Sequence, residues 1–210
     1  MALVKLNNRA VKDVDSLSVG TGDLVFLAKQ SITSPVSSVN FVHGSGGVDF
    51  TSYKEYIFYF VNLHPNSNTE PDIAVNFSSD GGSNYNVTKT STSFYARHAE
   101  NNDFASIAYL GSLDLAQSTS KQFLAPALKP DNDGSLSGSL HLFNPSSTTF
   151  VKHYIINTSA MHNYPAAWHS FLAGYCNTTS AIDAVSFIGG YGLATDDNID
   201  SGDILLYGVN

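Results

Sequence analysis

Charge is scarce in this chain. Lys, Arg, Asp and Glu together make up 13% of its 210 residues, about half the share of roughly 25% usual in a globular domain. Hydrophobic content, at 42%, is ordinary, so Ser, Thr, Asn and Gly stand where charge would be. The implied surface is polar but largely neutral, and it suits packing against protein or sugar hydroxyls better than phosphate. The formal net charge of −8 would repel a nucleic-acid backbone, whose binding rests on Lys and Arg displacing counterions, and excludes nucleic acid as the expected partner.

Cysteine is nearly absent. The single Cys176 excludes an intramolecular disulfide framework and any cysteine-based zinc cluster, and it reads as a small buried apolar residue. Long apolar runs are missing too. "MALVKLNNRAVKDV" places Lys5, Asn7, Asn8 and Arg9 where the apolar core of a signal peptide would lie, and no stretch approaches the ~18 residues of a membrane-spanning helix. The expectation is a protein made in a cytoplasm, without signal peptide or membrane insertion, and carried elsewhere, if at all, by other means. Four sequons begin at Asn76, Asn86, Asn157 and Asn177, which a chain rich in Asn, Ser and Thr contains by chance.

Catalytic signatures are the third absence. There is no GxSxG elbow, HExxH, phosphate loop or GxGxxG, each of which needs a fixed spacing to place its nucleophile, metal or phosphate. Glu55, Glu70 and Glu100 could each join an Asp in a glycosidase-like carboxylate pair, but no spacing selects one. The chain reads as no enzyme.

What is present is alternation. "SGSLHLFNP" puts Leu136, Leu140 and Leu142 on one side and Ser137, Ser139 and His141 on the other; "FVKHYIINT" resumes after a loop at Asn144 to Thr149, and the two form a hairpin. "YKEYIFYFVNL" is apolar on both faces, which predicts a central strand covered on each side. Further strands are predicted at Asp23–Ala28, Ser38–Val42, Ile73–Phe77, Asn84–Thr88, Phe94–His98, Ile107–Leu110, Phe171–Cys176, Val185–Ile188 and Ile204–Tyr207. Between them lie Gly, Asn and Asp-rich turns such as "SDGGSN" and "PDNDGS". Only "NYPAAWHSFLAGY" has helical spacing, and Pro165 and Gly174 limit it to two turns. Many short strands with almost no helix predict an all-β fold, an antiparallel β-sandwich or jelly roll. The domain reading is a single sandwich over residues 31–210, preceded at 1–30 by an N-terminal attachment arm or edge strand carrying Lys5, Arg9 and Lys12. A plain first strand is the competing reading of that segment.

Four stretches, "SYKEYIFYFVNLHP", "SSDGGSNYNVTKTSTSFYA", "SGSLHLFNPSSTTFVKHYI" and the pair "GYCNTTSAIDAVSF" with "NIDSGDILLYGV", resemble small virion structural or tail-fibre-like proteins of tailed bacteriophages, especially marine ones. The opening is also similar to theirs, so the resemblance runs nearly end to end. The closing "SGDILLYGV" looks like the last strand of the lectin-like jelly rolls found in phage tail proteins. The resemblance implies a virion location and a tail fibre, tip or baseplate module in host-surface adsorption, with capsid decoration as the alternative. It implies as partners other virion proteins of the tail or capsid, a homo-oligomer, trimeric in the usual fibre arrangement, and a host-surface glycan or protein. It carries no catalytic residue.

Two kinds of site are candidates. His162, Asn163, Tyr164, Trp168 and His169 form the densest aromatic and imidazole cluster, of the kind that stacks sugar rings and fixes hydroxyls; the competing reading puts Trp168 in the core. Asp131 and Asp133 in "PDNDGS", and Asp196, Asp197, Asp200 and Asp203 in "DDNIDSGD", offer hard oxygen ligands of the kind Ca²⁺ takes, against ordinary Asx turns. No other cofactor is expected.

Overall fold

The computed structural model describes residues 23–66, 71–189 and 198–210. Lys5, Arg9 and Lys12 of the expected arm lie outside the described residues, as do Glu70, Asp196 and Asp197. Among the described residues there are twelve strands and no helix: β1 (Leu24–Ile32), β2 (Ser38–Val42), β3 (Glu55–Asn66), β4 (Ile73–Ser78), β5 (Lys89–Ala99), β6 (Ala105–Tyr109), β7 (Gln122–Ala125), β8 (Leu136–Phe143), β9 (Lys152–His162), β10 (Ala166–Cys176), β11 (Ala184–Gly189) and β12 (Asn198–Val209). They form two antiparallel sheets, of order β1-β12-β3-β8-β9-β10-β5-β6 and β2-β11-β4-β7. The protein is an all-β sandwich.

The pairing is nested. β1 pairs with β12, β2 with β11, β3 with β8 and β4 with β7, so these eight strands make a folded double ribbon of two four-stranded sheets, the jelly-roll arrangement. Two hairpins exceed it. The β5–β6 hairpin falls between β4 and β7 in the chain, the β9–β10 hairpin between β8 and β11, and both join the same edge of one sheet, widening it to eight strands.

The core lies between the sheets because alternate residues of each strand point inward. Phe58 of β3 is its aromatic centre, in edge-on contact with Phe41 at 5.2 Å and Phe187 at 5.2 Å, while Phe60 meets Phe187 at 5.2 Å. All four rings are buried, and full burial of each stabilises the fold by about 2–3 kcal/mol. At the far end of β3 the ladder breaks: Asn62 (φ 50) faces Gly202 (φ 111), and a Cβ on Gly202 would lie 2.5 Å from the Asn62 carbonyl oxygen. Only glycine fits that close approach.

Three predicted elements differ. "NYPAAWHSFLAGY" contributes no helix; Ala166–Cys176 is a strand between β9 and β5, because its alternation of Trp168, Ser170 and Leu172 fits a pairing partner on each side. Asn84–Thr88 is not a strand, and pairing begins at Lys89. β3 lies inside its sheet, but its second face is covered only in part: Phe58 and Phe60 on the first face are buried, whereas on the other Ile57 is buried and Val61 is 43% exposed.

Candidate functional site

The two added hairpins build a surface that the jelly roll alone would lack. Register and burial give the side chains that point away from the core. They are Ser137, Ser139, His141 and Phe143 on β8; His153, Ile155, Asn157, Ser159 and Met161 on β9; Ala167, His169, Phe171, Ala173 and Tyr175 on β10; Thr90, Thr92, Phe94, Ala96 and His98 on β5; Ala105, Ile107 and Tyr109 on β6. None is Lys, Arg, Asp or Glu. In a chain of net charge −8, five adjacent strands present a face without a formal charge.

This face is also where aromatic and aliphatic groups meet solvent. Phe94 is 45% exposed, Tyr109 60% and Ile107 78%, with Ile155 exposed beside them. Phe94 and Phe171 stack with centroids 4.8 Å apart and planes at 9°, His169 lies against Phe171 at 3.9 Å, and Tyr109 stands opposite Phe94 in the β5–β6 register. The ladder has polar neighbours. Asn157 Oδ1 is bonded to His169 Nε2, and the Tyr109 hydroxyl donates to Asp114 at the rim, a bond that raises the phenol pKa. Depressions flank the Phe94–Phe171 ridge on both sides. One of about 600 Å³ lies over Ala96, Ala105, Ser159 and Ala167; another of about 540 Å³ lies over Thr92, Ile155, Ala173 and Tyr175. Small side chains floor the first hollow, Thr92 and Ala173 floor the second between Ile155 and Tyr175, and the paired rings make the ridge.

The predicted sugar cluster is divided by the sheet. His162, Tyr164 and Trp168 come together on the inward side, where Tyr164 stacks on His162 at 5.6 Å, His162 on Trp168 at 4.8 Å and Trp168 on Tyr95 at 4.2 Å. Arg97 caps the column, its guanidinium 4.7 Å from the Phe104 ring centre and 5.4 Å from that of Tyr95. Trp168 is 4% exposed and donates its indole N–H to Ser170 Oγ, so neither ring face is open to a ligand. Tyr164 is exposed at the end of the column. Asn163, whose backbone N–H donates to the Ala127 carbonyl, lies in the turn beside it. His169 points to the opposite side, into the ladder with Phe171.

The acidic candidates are engaged with cations and turns. Asp131 and Asp133 flank the Lys129 ammonium at 3.0 and 3.8 Å, which raises the lysine pKa. Asp200 is 2.7 Å from His64 Nδ1, and Asp203 pairs with Lys29 at 2.9 Å. Glu55 bonds His141 Nδ1 at 2.6 Å. Among the described residues no group of three or more His, Cys, Asp or Glu gathers as metal ligands.

Charge buried beneath the face is the unexpected feature. Lys89, Cys176 and Lys152 occupy one row across β5, β10 and β9, each fully enclosed. Lys89 Nζ donates to Asn76 Oδ1 at 2.6 Å and to the Val87 carbonyl at 2.8 Å; Lys152 Nζ donates to the Thr178 and Ser180 carbonyls. Burial holds the Lys89 ammonium down to about 8 and lowers Lys152, while it pushes the thiol up to about 12. These bonds fasten both hairpins to the roll.

Sequence reasoning missed Phe94, Phe171, Tyr109 and Asn157. The available signal was period two: with Trp168 in the core, Phe171 must face outward, and its cross-strand partner follows only from register. No protein-family model, curated protein or solved structure matches the chain.

Proposed function

We propose that the chain is a bacteriophage virion structural protein, a β-sandwich module of a tail fibre, tip or baseplate that takes part in host-surface adsorption, without enzymatic activity. The observation that supports this reading is the wide uncharged face on the two added hairpins. It is an open surface with exposed rings, suited to contact rather than to enclosing a substrate. Shallow sites of this kind become effective when several copies are held on one particle, which fits a homo-oligomer mounted among other virion proteins. The sequence resemblance supports the same setting.

A second reading, capsid decoration, is favoured by one observation. Beyond β8 the outward face continues over β3, β12 and β1, where Val61, Leu24 and Phe26 are exposed beside the Lys29–Asp203 ion pair, a mixed surface suited to lying on a neighbouring subunit. Mass spectrometry of purified particles from an infected host, followed by immunogold labelling, tests both. Label at the tail supports adsorption, label over the head supports decoration, and particles without the protein overturn both.

A further inference from the structure

We propose that the outer face of the two added hairpins binds an uncharged polysaccharide, with the exposed ring of Phe94, backed by Phe171, as the stacking surface and Asn157 and His169 as the groups that read hydroxyls. The proposal deepens the adsorption reading and rests on it only for the source of the glycan.

The occupant follows from charge. A sugar ring without ionised groups presents C–H bonds on its flat face and hydroxyls around its rim, so it needs aromatic planes beside neutral donors and acceptors. Those are what the face offers: the exposed Phe94 ring backed by Phe171 at 4.8 Å, the Asn157 amide bonded to His169, and Ser159 in the adjoining hollow. An anionic glycan or nucleic acid would give up hydration without meeting an outward-pointing Lys or Arg side chain; Arg97, in the wall of the larger hollow, turns its guanidinium to the other side of the sheet against Tyr95, Phe104 and Trp168. The hollows on either side of the ridge, about 600 and 540 Å³, let a chain cross the rings and continue past them, whereas a compact ligand would use one hollow only.

Two details support a built site. Asn157 Oδ1 holds the His169 ring by its Nε2, leaving the Asn157 amide N–H groups to point elsewhere and fixing the imidazole against Phe171. The platform is also placed on hairpins additional to the jelly roll, where alternating small and aromatic residues shape a surface without altering the roll's core.

Affinity electrophoresis of the full chain tests this, with dextran, yeast mannan and a galactomannan as uncharged probes and alginate as the anionic one. The expected result is retardation by at least one uncharged probe and none by alginate. Phe94→Ala and Asn157→Ala should each weaken retardation about tenfold, and Tyr164→Ala, on the other side of the sheet, should not. Ile107→Ser at the edge strand serves as a second variant should Phe94→Ala fail to fold, and it should weaken retardation in the same direction. Absence of retardation by every uncharged probe overturns the proposal, as does equal retardation by alginate, or a folded Phe94→Ala protein that migrates as the parent does. An oligomer that falls to monomer in Phe94→Ala with retardation unchanged would assign the face to contacts between copies and overturn it too. Loss of the protein from particles would sink the virion reading while leaving this result untouched.

Discussion

Lys89 and Cys176 stand directly opposite each other where β5 pairs with β10, and both are fully enclosed. Their shifts pull stability in opposite directions with pH. The folded Lys89 ammonium titrates at about 8 against an ordinary 10.5, so above pH 8 the unfolded chain binds the extra proton and stability rises with pH. The folded thiol titrates at about 12 against 9.0, so from pH 9 the unfolded chain has lost a proton that the folded one keeps, and stability falls. Between pH 8 and 9 the gain from the lysine dominates, and from about pH 9 the thiol offsets part of it. Cys176→Ala should therefore steepen the rise, and urea unfolding at several pH values measures it. A Cys176→Ala protein with the same slope as the parent would show that the two groups do not titrate as their burial implies. Above pH 10 both proteins should lose stability, because Tyr56 and Tyr154 are held neutral by burial while the unfolded phenols ionise.

The same enclosure makes Cys176 inert. The thiolate is the reacting form, and at pH 8 a thiol raised to about 12 and buried between two strands supplies almost none. Alkylation by iodoacetamide should be negligible in the native protein and stoichiometric in urea, read by intact mass. Rapid native labelling would mean that the β9–β10–β5 end opens.

Trp168 and Phe94 give a stability contrast. Trp168 is stacked between His162 and Tyr95, so Trp168→Ala leaves a large void and should cost about 3–5 kcal/mol, a fall of roughly 10 °C in Tm at this chain length. Phe94 keeps 45% of its surface in water, and Phe94→Ala should cost about 1 kcal/mol or less. Thermal unfolding of the two variants checks the order; a reversed order would mean that the inward and outward faces have been exchanged.

The sandwich was legible because its cause is local. Leu136, Leu140 and Leu142 alternate with Ser137, Ser139 and His141, and such a segment buries one face whatever its partner is. β7 was not legible, since Gln122–Ala125 has four residues and no alternation, and it is a strand only because β4 lies beside it. The second half of β10, Phe171–Cys176, reads as a strand, while its start is ambiguous because Trp168, Phe171, Leu172 and Tyr175 satisfy a helical spacing by mixing its two faces. The candidate site shared that fault. Trp168 and His169 are neighbours in sequence and opposites in space, and the partners that matter to His169 are Asn157 and Phe171, chosen by register.

Gly138 shows how closely the added hairpin is fitted to the roll. It sits on β8 at φ 153, facing Thr158 of β9, and a Cβ there would lie 2.3 Å from the Asn157 carbonyl oxygen and 2.7 Å from the Thr158 Cα. Backbone cannot move aside as a flexible side chain can, so Gly138→Ala must push β9 away from β8 or twist the pair. Either response costs about 1–3 kcal/mol, and it would also displace Asn157, whose amide holds His169. If the uncharged polysaccharide binds where proposed, Gly138→Ala should lower Tm by several degrees and weaken retardation together, although Gly138 itself lies on the inward face. A protein with unchanged Tm would show that the two strands are farther apart than this contact requires.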